Sequence, residues 1–211
     1  MIKKVFFKPY AQDFSNLAYN RLFCDDLNLY KTATEEFPGD AWRRFITKRL
    51  TSKTALEFAF DQTLPARLRI LAFNYLINKG HTAAKKELLG VVLEAGVDRG
   101  LETLAIYTDK SLSYINEEGT ILNLIAAEGE LQERFLRFFA ASAALGEQLK
   151  PSDLPRFPAT FPGMARITLL ISDGRYFGQG PANVLSKDKM SGPIIRQATD
   201  LLANLNKLKS S

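Results

Sequence analysis

A chain of 211 residues with 46% hydrophobic and 24% charged residues has the composition of a folded soluble protein, long enough for one large core or two small ones. No apolar run approaches the ~20 residues that span a bilayer, and Met1 to Tyr10 carries no long apolar stretch or small-residue cleavage site, so neither a membrane span nor a signal peptide is expected, and the cytoplasm is the expected location. One cysteine and one histidine exclude an internal disulfide and leave Ser-His-Asp catalysis, Cys-His catalysis and a zinc site short of residues.

The net charge of +5 is unevenly placed: residues 1–86 hold 15 Lys and Arg against 8 Asp and Glu, whereas 87–211 hold 13 against 15. The basic part reads as helical. Asp13 is expected to cap a helix that carries Phe14, Leu17, Ala18 and Leu22 on one side and runs toward Tyr30. Pro38-Gly39-Asp40 stops the chain and caps a helix over 41–50, with Trp42, Phe45, Ile46 and Leu50 in a packed stripe and Arg43, Arg44, Lys48 and Arg49 largely opposite. Ser52 opens a third helix through Leu56, Ala59 and Phe60. Thr63-Leu64-Pro65 breaks it and starts a fourth, whose Leu68, Leu71, Ala72, Tyr75 and Leu76 form a buried stripe that Gly80 ends. The stretch 55–76 resembles one antiparallel helix pair of a HEAT-type repeat, with Asp61 and Arg67 near that family's acidic and arginine positions. Solenoids need about three such units, so an ordinary helical hairpin is the preferred reading.

From Glu87 the period changes to that of strands. Segments at 88–97, 102–108, 111–116 and 120–126 are joined by turns at Asp109-Lys110 and 116–119. A helix over 130–149 carries Leu131, Phe135, Phe138, Phe139, Leu145 and Leu149 on one side. Four prolines (Pro151, Pro155, Pro158, Pro162) make 151–164 an extended connector, and its Leu154, Phe157 and Phe161 are expected to pack on the domain. Strands at 166–172 and 175–178 flank the Asp173-Gly174 turn, a loop covers 178–183, and a terminal helix over 193–208 docks on the sheet through Ile194, Ile195, Ala198, Leu201, Leu202, Leu205 and Leu208.

The expected fold class is therefore α+β, with a helical segment (1–86) packed on an antiparallel sheet (87–211) flanked by two long helices. That C-terminal element order resembles roadblock-type and profilin-type domains, and the resemblance implies an interaction module. The hairpin that follows Asp173-Gly174, ending in Gly178-Gln179-Gly180-Pro181, is similar to an uncharacterised group of bacterial proteins, which lends no activity.

Chemistry-bearing residues are few. His81 sits at a helix end. Cys24 precedes Asp25 and Asp26, which raise a thiol pKa rather than lower it, and those two acids point about 100° apart on a helix, so neither a metal nor another cofactor is expected. Asp109 and Asp173, each in a hairpin turn, are the one carboxylate pair whose convergence is conceivable. With Arg175, Tyr176, Gly178, Gln179 and Gly180 they outline a loop for a small molecule or nucleotide, although the third glycine of a dinucleotide fingerprint is missing. Arg43, Arg44, Lys48, Arg49 and Lys53 beside Trp42 form a basic surface that suits phosphates.

The leading functional expectation is a non-enzymatic cytoplasmic binding or adaptor protein, working through a protein partner or self-association. The alternative is a small-molecule or nucleotide binder, or a carboxylate enzyme, at the 173–181 loop. A third is non-specific nucleic-acid binding through the helix over 41–53. An apolar sheet face favours the first, and a closed polar pocket the second.

Overall fold

The computed structural model describes residues 5–31, 39–47, 50–83, 85–125 and 130–209, with the side chains of 130–131 and 204–209 outside that description. Lys48, Arg49 and Pro38 lie outside the described residues, as do the side chains of Leu131, Leu205 and Leu208. The helices are α1 (Asp13–Arg21), α2 (Asp40–Thr47), α3 (Ser52–Phe60), α4 (Ala66–Asn78), α5 (Glu130–Gln148), α6 (Ala182–Leu185) and α7 (Ser191–Lys209), with a 3-10 turn at Leu27–Tyr30. The strands are β1 (Leu88–Val97), β2 (Gly100–Tyr107), β3 (Ser111–Ile115), β4 (Ile121–Ile125), β5 (Met164–Ile171) and β6 (Gly174–Pro181).

All neighbouring strands pair antiparallel, in the order β4-β3-β2-β1-β5-β6. Because successive side chains point to opposite faces, the strands feed two cores. Leu89, Val92, Leu101, Ala105, Tyr107, Ile115 and Leu170 join the buried residues of α1 to α4. Val91, Leu104, Ile106, Leu112, Ile167, Leu169 and Tyr176 join Phe135 and Phe138 of α5 and Ile194, Ala198 and Leu201 of α7. The sheet is thus sandwiched between helical layers, an α+β fold in which the N-terminal helices and the sheet share a core. Burial on both faces explains why β1 reads as a nearly continuous apolar run instead of an alternation.

Several local expectations are corrected. The first helix ends at Arg21, because Cys24 takes a φ of +50° and Asp26 caps the following 3-10 turn by accepting from Asn28 N. Asp13 makes no capping hydrogen bond. It lies in the first turn, with Gln12 at the cap position. The buried side of α1 is its polar one, Ser15, Asn16, Tyr19, Asn20 and Arg21. Asn16 and Asn20 account for this, since their amides exchange hydrogen bonds with the backbone of Tyr10 and Phe7 and so dock the preceding segment. Ser52 opens α3 as expected, with Thr51 at the cap accepting from Thr54 N, but Leu56 and Phe60 are exposed while Ala55, Phe58 and Ala59 face inward. In the connector, Leu154, Phe157 and Phe161 are exposed. Arg156 and Thr160 are the buried residues that hold it. The loop expected at 178–181 is strand, because β5 extends far enough to pair Gly178 with Ile167 and Gly180 with Ala165.

Candidate functional site

Asp109 and Asp173 occupy two hairpin turns at the same end of the sheet, separated by three strand spacings, about 14 Å, so they do not form a pair. Asp109 joins the β2-β3 turn to α4. Its carboxylate accepts from Ala66 N at 2.8 Å, and from Ser111 N at 3.0 Å and Ser111 Oγ at 2.6 Å, which places an acid at a helix N-terminus. Asp173 accepts from the Tyr176 hydroxyl at 2.8 Å. Burial and that carboxylate both push the Tyr176 pKa up. Strand alternation sends Tyr176 into the α5/α7 core and turns Arg175 and Gln179 to the opposite face, where Gln179 Oε1 accepts from Arg166 Nε at 3.0 Å. Gly178 and Gly180 sit in the ladder. The residues expected to surround one ligand are therefore divided between two faces.

Cys24 is fully buried, receives a hydrogen bond from the Tyr30 hydroxyl at 3.3 Å, and has its pKa raised by burial to about 11. His81 lies exposed with Nε2 3.2 Å from Ser52 Oγ. Asp25 is paired with Arg156 at 2.7 Å. Among the described residues no three His, Cys, Asp or Glu side chains are grouped to hold a metal ion. On the basic helix Arg43 stands 3.5 Å from Asp40 and is largely exposed, and the Arg44 guanidinium lies 5.7 Å from the centre of the Phe58 ring. Lys53 is exposed.

The most open concavity lies elsewhere. On the N-terminal-helix face, α1 to α4 cover the middle of the sheet, including Ser113 and Ile115 of β3, and leave β4 without a buried residue. Register aligns Ser111 with Ile125, Ser113 with Asn123 and Ile115 with Ile121, and these six residues floor a groove. Phe14, Leu17 and Ala18 of α1 form one wall, Leu64 and Pro65 before α4 another, and Trp42 closes one side. The groove offers about 980 Å³ of space. Phe14 is 62% and Ile125 78% exposed.

Two cations, Arg21 and Arg67, line this groove. Arg67 Nη2 donates to Ser113 Oγ at 2.7 Å, and Ser113 Oγ donates on to Asn123 Oδ1 at 2.6 Å. The guanidinium lies 4.6 Å over the Tyr107 ring, a favourable cation-π distance. Its Nε is buried without a hydrogen-bond partner, and no carboxylate among the described residues lies within ion-pair distance. Of the apolar side expected for the first helix, Leu22 is buried, whereas Phe14, Leu17 and Ala18 line the groove, and Arg67 of the expected helical hairpin stands beside them. The pair Asn16 and Asn20, at i and i+4 on the other side of α1, is the signal that marks the true inner face.

No protein-family model matches the chain, and no curated protein matches it at a significant level. Among the described residues, no helix is long and apolar enough to cross a membrane.

Proposed function

We propose that this chain is a non-enzymatic binding or adaptor protein that seats an extended, partly apolar segment of a partner protein in the groove over β3 and β4. The observation that carries this reading is the orientation of α1, which buries polar side chains and presents Phe14, Leu17 and Ala18 to the groove. A buried polar face opposite an apolar one that is half-buried at Leu17 and Ala18 and exposed at Phe14 is the informative departure from ordinary packing. An extended form fits because β4 is a sheet edge, where an added strand gains ladder hydrogen bonds and sends alternate side chains into the groove. Arg67 gives that segment a reason to carry an acidic side chain. The buried free thiol of Cys24 supports a reducing compartment, the cytoplasm, as the place of action.

The test is selection of peptides from a random display library on the full chain, followed by affinity measurement on the Phe14→Glu/Ile125→Glu variant, whose changes fall on exposed side chains. Selected peptides are expected to combine apolar residues with an acid and to lose at least about tenfold in affinity on the variant, near 1.4 kcal/mol. Peptides that bind both proteins equally refute the groove. A dimer that the same two substitutions split identifies a second copy of this chain as the occupant and refutes the partner-segment reading.

A further inference from the structure

At the other edge of the same sheet face, three arginines converge from separate parts of the chain. Arg156 comes from the connector, Arg166 from β5 and Arg175 from β6. With Phe23, Phe157, Thr168 and Phe177 they line one tight cavity of about 10 Å³. Arg156 and Arg175 also line the adjoining cleft of about 30 Å³, together with Asp25, Asn74 and Asn78. The three side chains are only 4%, 7% and 11% exposed.

Their partners do not balance them. Arg156 Nε donates to Asp25 Oδ2 at 2.7 Å, and its Nη2 donates to Asn20 Oδ1 and to the carbonyl of Val5. Arg166 is saturated by Glu94, Gln179 and the carbonyls of Phe157 and Pro158. Arg175 donates to the Leu154 carbonyl and stands 3.6 Å from the same Asp25 oxygen that Arg156 uses. Among the described residues, three guanidinium groups thus face two carboxylates, Asp25 and Glu94, and burial pushes the Glu94 pKa toward the neutral form. Arg156 Nη1 is buried with no hydrogen-bond partner. Desolvation lowers the Arg175 pKa, and repulsion by Arg156 and Arg166 adds to that against the pull of Asp25. An uncompensated buried charge and an unmade donor both cost stability, and one bound oxyanion relieves both.

We propose that Arg156 and Arg175 form a binding site for a small oxyanion, the carboxylate or phosphate group of a small molecule, with Arg156 Nη1 as the vacant donor and Arg166 contributing charge from beneath. Guanidinium forks match the oxygen spacing of both groups. The rings of Phe23, Phe157 and Phe177 lower the local dielectric, which strengthens the attraction. This site lies at the β5-β6 edge, apart from the groove over β3 and β4, and does not depend on the function proposed for that groove.

The experiment titrates sodium phosphate and, separately, sodium acetate into the full chain at constant ionic strength set with chloride. Binding is read by calorimetry and by the thermal midpoint. One or both anions are expected to stabilise the protein saturably, and Arg175→Gln is expected to weaken that binding at least about tenfold, while Arg99→Gln, distant in a β-turn, leaves it unchanged. Saturation by phosphate alone assigns a tetrahedral group, and by acetate alone a carboxylate. A measurement on the unaltered protein guards against misfolding of the variant: the same anion is expected to slow phenylglyoxal modification of Arg175, followed by mass spectrometry. Absence of saturable binding by either anion overturns the proposal. So does equal binding by the Arg175→Gln variant, or unprotected modification of Arg175.

Discussion

Replacing Arg166 with methionine asks how much stability rests on neutralising a carboxylate inside the protein. Glu94 is 0% and Arg166 7% exposed at the side chain, and they meet at 3.0 Å. The Tyr19 hydroxyl also donates to Glu94, at 2.7 Å. Removing Arg166 leaves Glu94 without its hydrogen-bonded cation and strips the Pro158 carbonyl of a donor at 2.8 Å, and breaking one side of a buried pair typically costs about 3–5 kcal/mol. With a urea dependence of about 2–3 kcal/mol per M, that lowers the unfolding midpoint by about 1–2 M. The single tryptophan, Trp42, is buried and stacked on Tyr30 at 5.6 Å, so its fluorescence reports the transition. The effect carries a pH signature. Burial already raises the Glu94 pKa, against the lowering influence of Arg166 and Tyr19. A carboxyl whose folded pKa is raised contributes stability that is complete below its unfolded pKa and is lost as pH rises through the folded one. Without Arg166 that folded pKa climbs further, so the deficit of the variant is smallest in acid and grows toward neutral pH. The double variant Glu94→Leu/Arg166→Met strands no charge and is expected to recover much of the loss. A midpoint shift below about 0.5 M at neutral pH, or one unchanged between acid and neutral pH, refutes the reasoning.

Three further predictions concern close packing, thiol reactivity and alkaline pH. Gly96 faces the proline-rich connector so closely that an added Cβ would lie 2.0 Å from the Phe161 carbonyl oxygen and 2.3 Å from its carbon; because that neighbour is backbone, Gly96→Ala is expected to cost at least about 1–3 kcal/mol, and a denaturation midpoint equal to that of the parent contradicts this contact. Cys24, with its pKa near 11, is expected to react with a disulfide reagent at pH 8 only through unfolding, so reaction that outpaces unfolding would show the thiol to be accessible. Burial also raises the pKa values of Tyr10, Tyr19, Tyr30 and Tyr107; since a raised pKa makes stability fall as pH rises through it, tyrosinate absorbance and loss of circular dichroism are expected to appear together above about pH 10. Ionisation of more than three of the seven tyrosines without loss of structure would contradict their burial.

Periodicity by itself determined the strands, the long helices and the extended connector, because a period of two or of 3.6 is a local property that any correct partner satisfies. Leu88 to Val97 became β1, the stripe around Ile194, Ala198 and Leu201 docked on the sheet, and the prolines at 151, 155, 158 and 162 held their segment out of regular structure. The tertiary structure decided which side of an element faces inward. The polar stripe of α1 and its apolar stripe are equally periodic, and only the docking of residues 5–10 onto Asn16 and Asn20 turned the polar one inside and left Phe14, Leu17 and Ala18 to the groove. It also decided which distant charges meet. Arg156 finds Asp25 across 131 positions and Arg166 finds Glu94 across 72, pairings that no local spacing encodes, because they follow from strand order and from the path of the connector over the sheet.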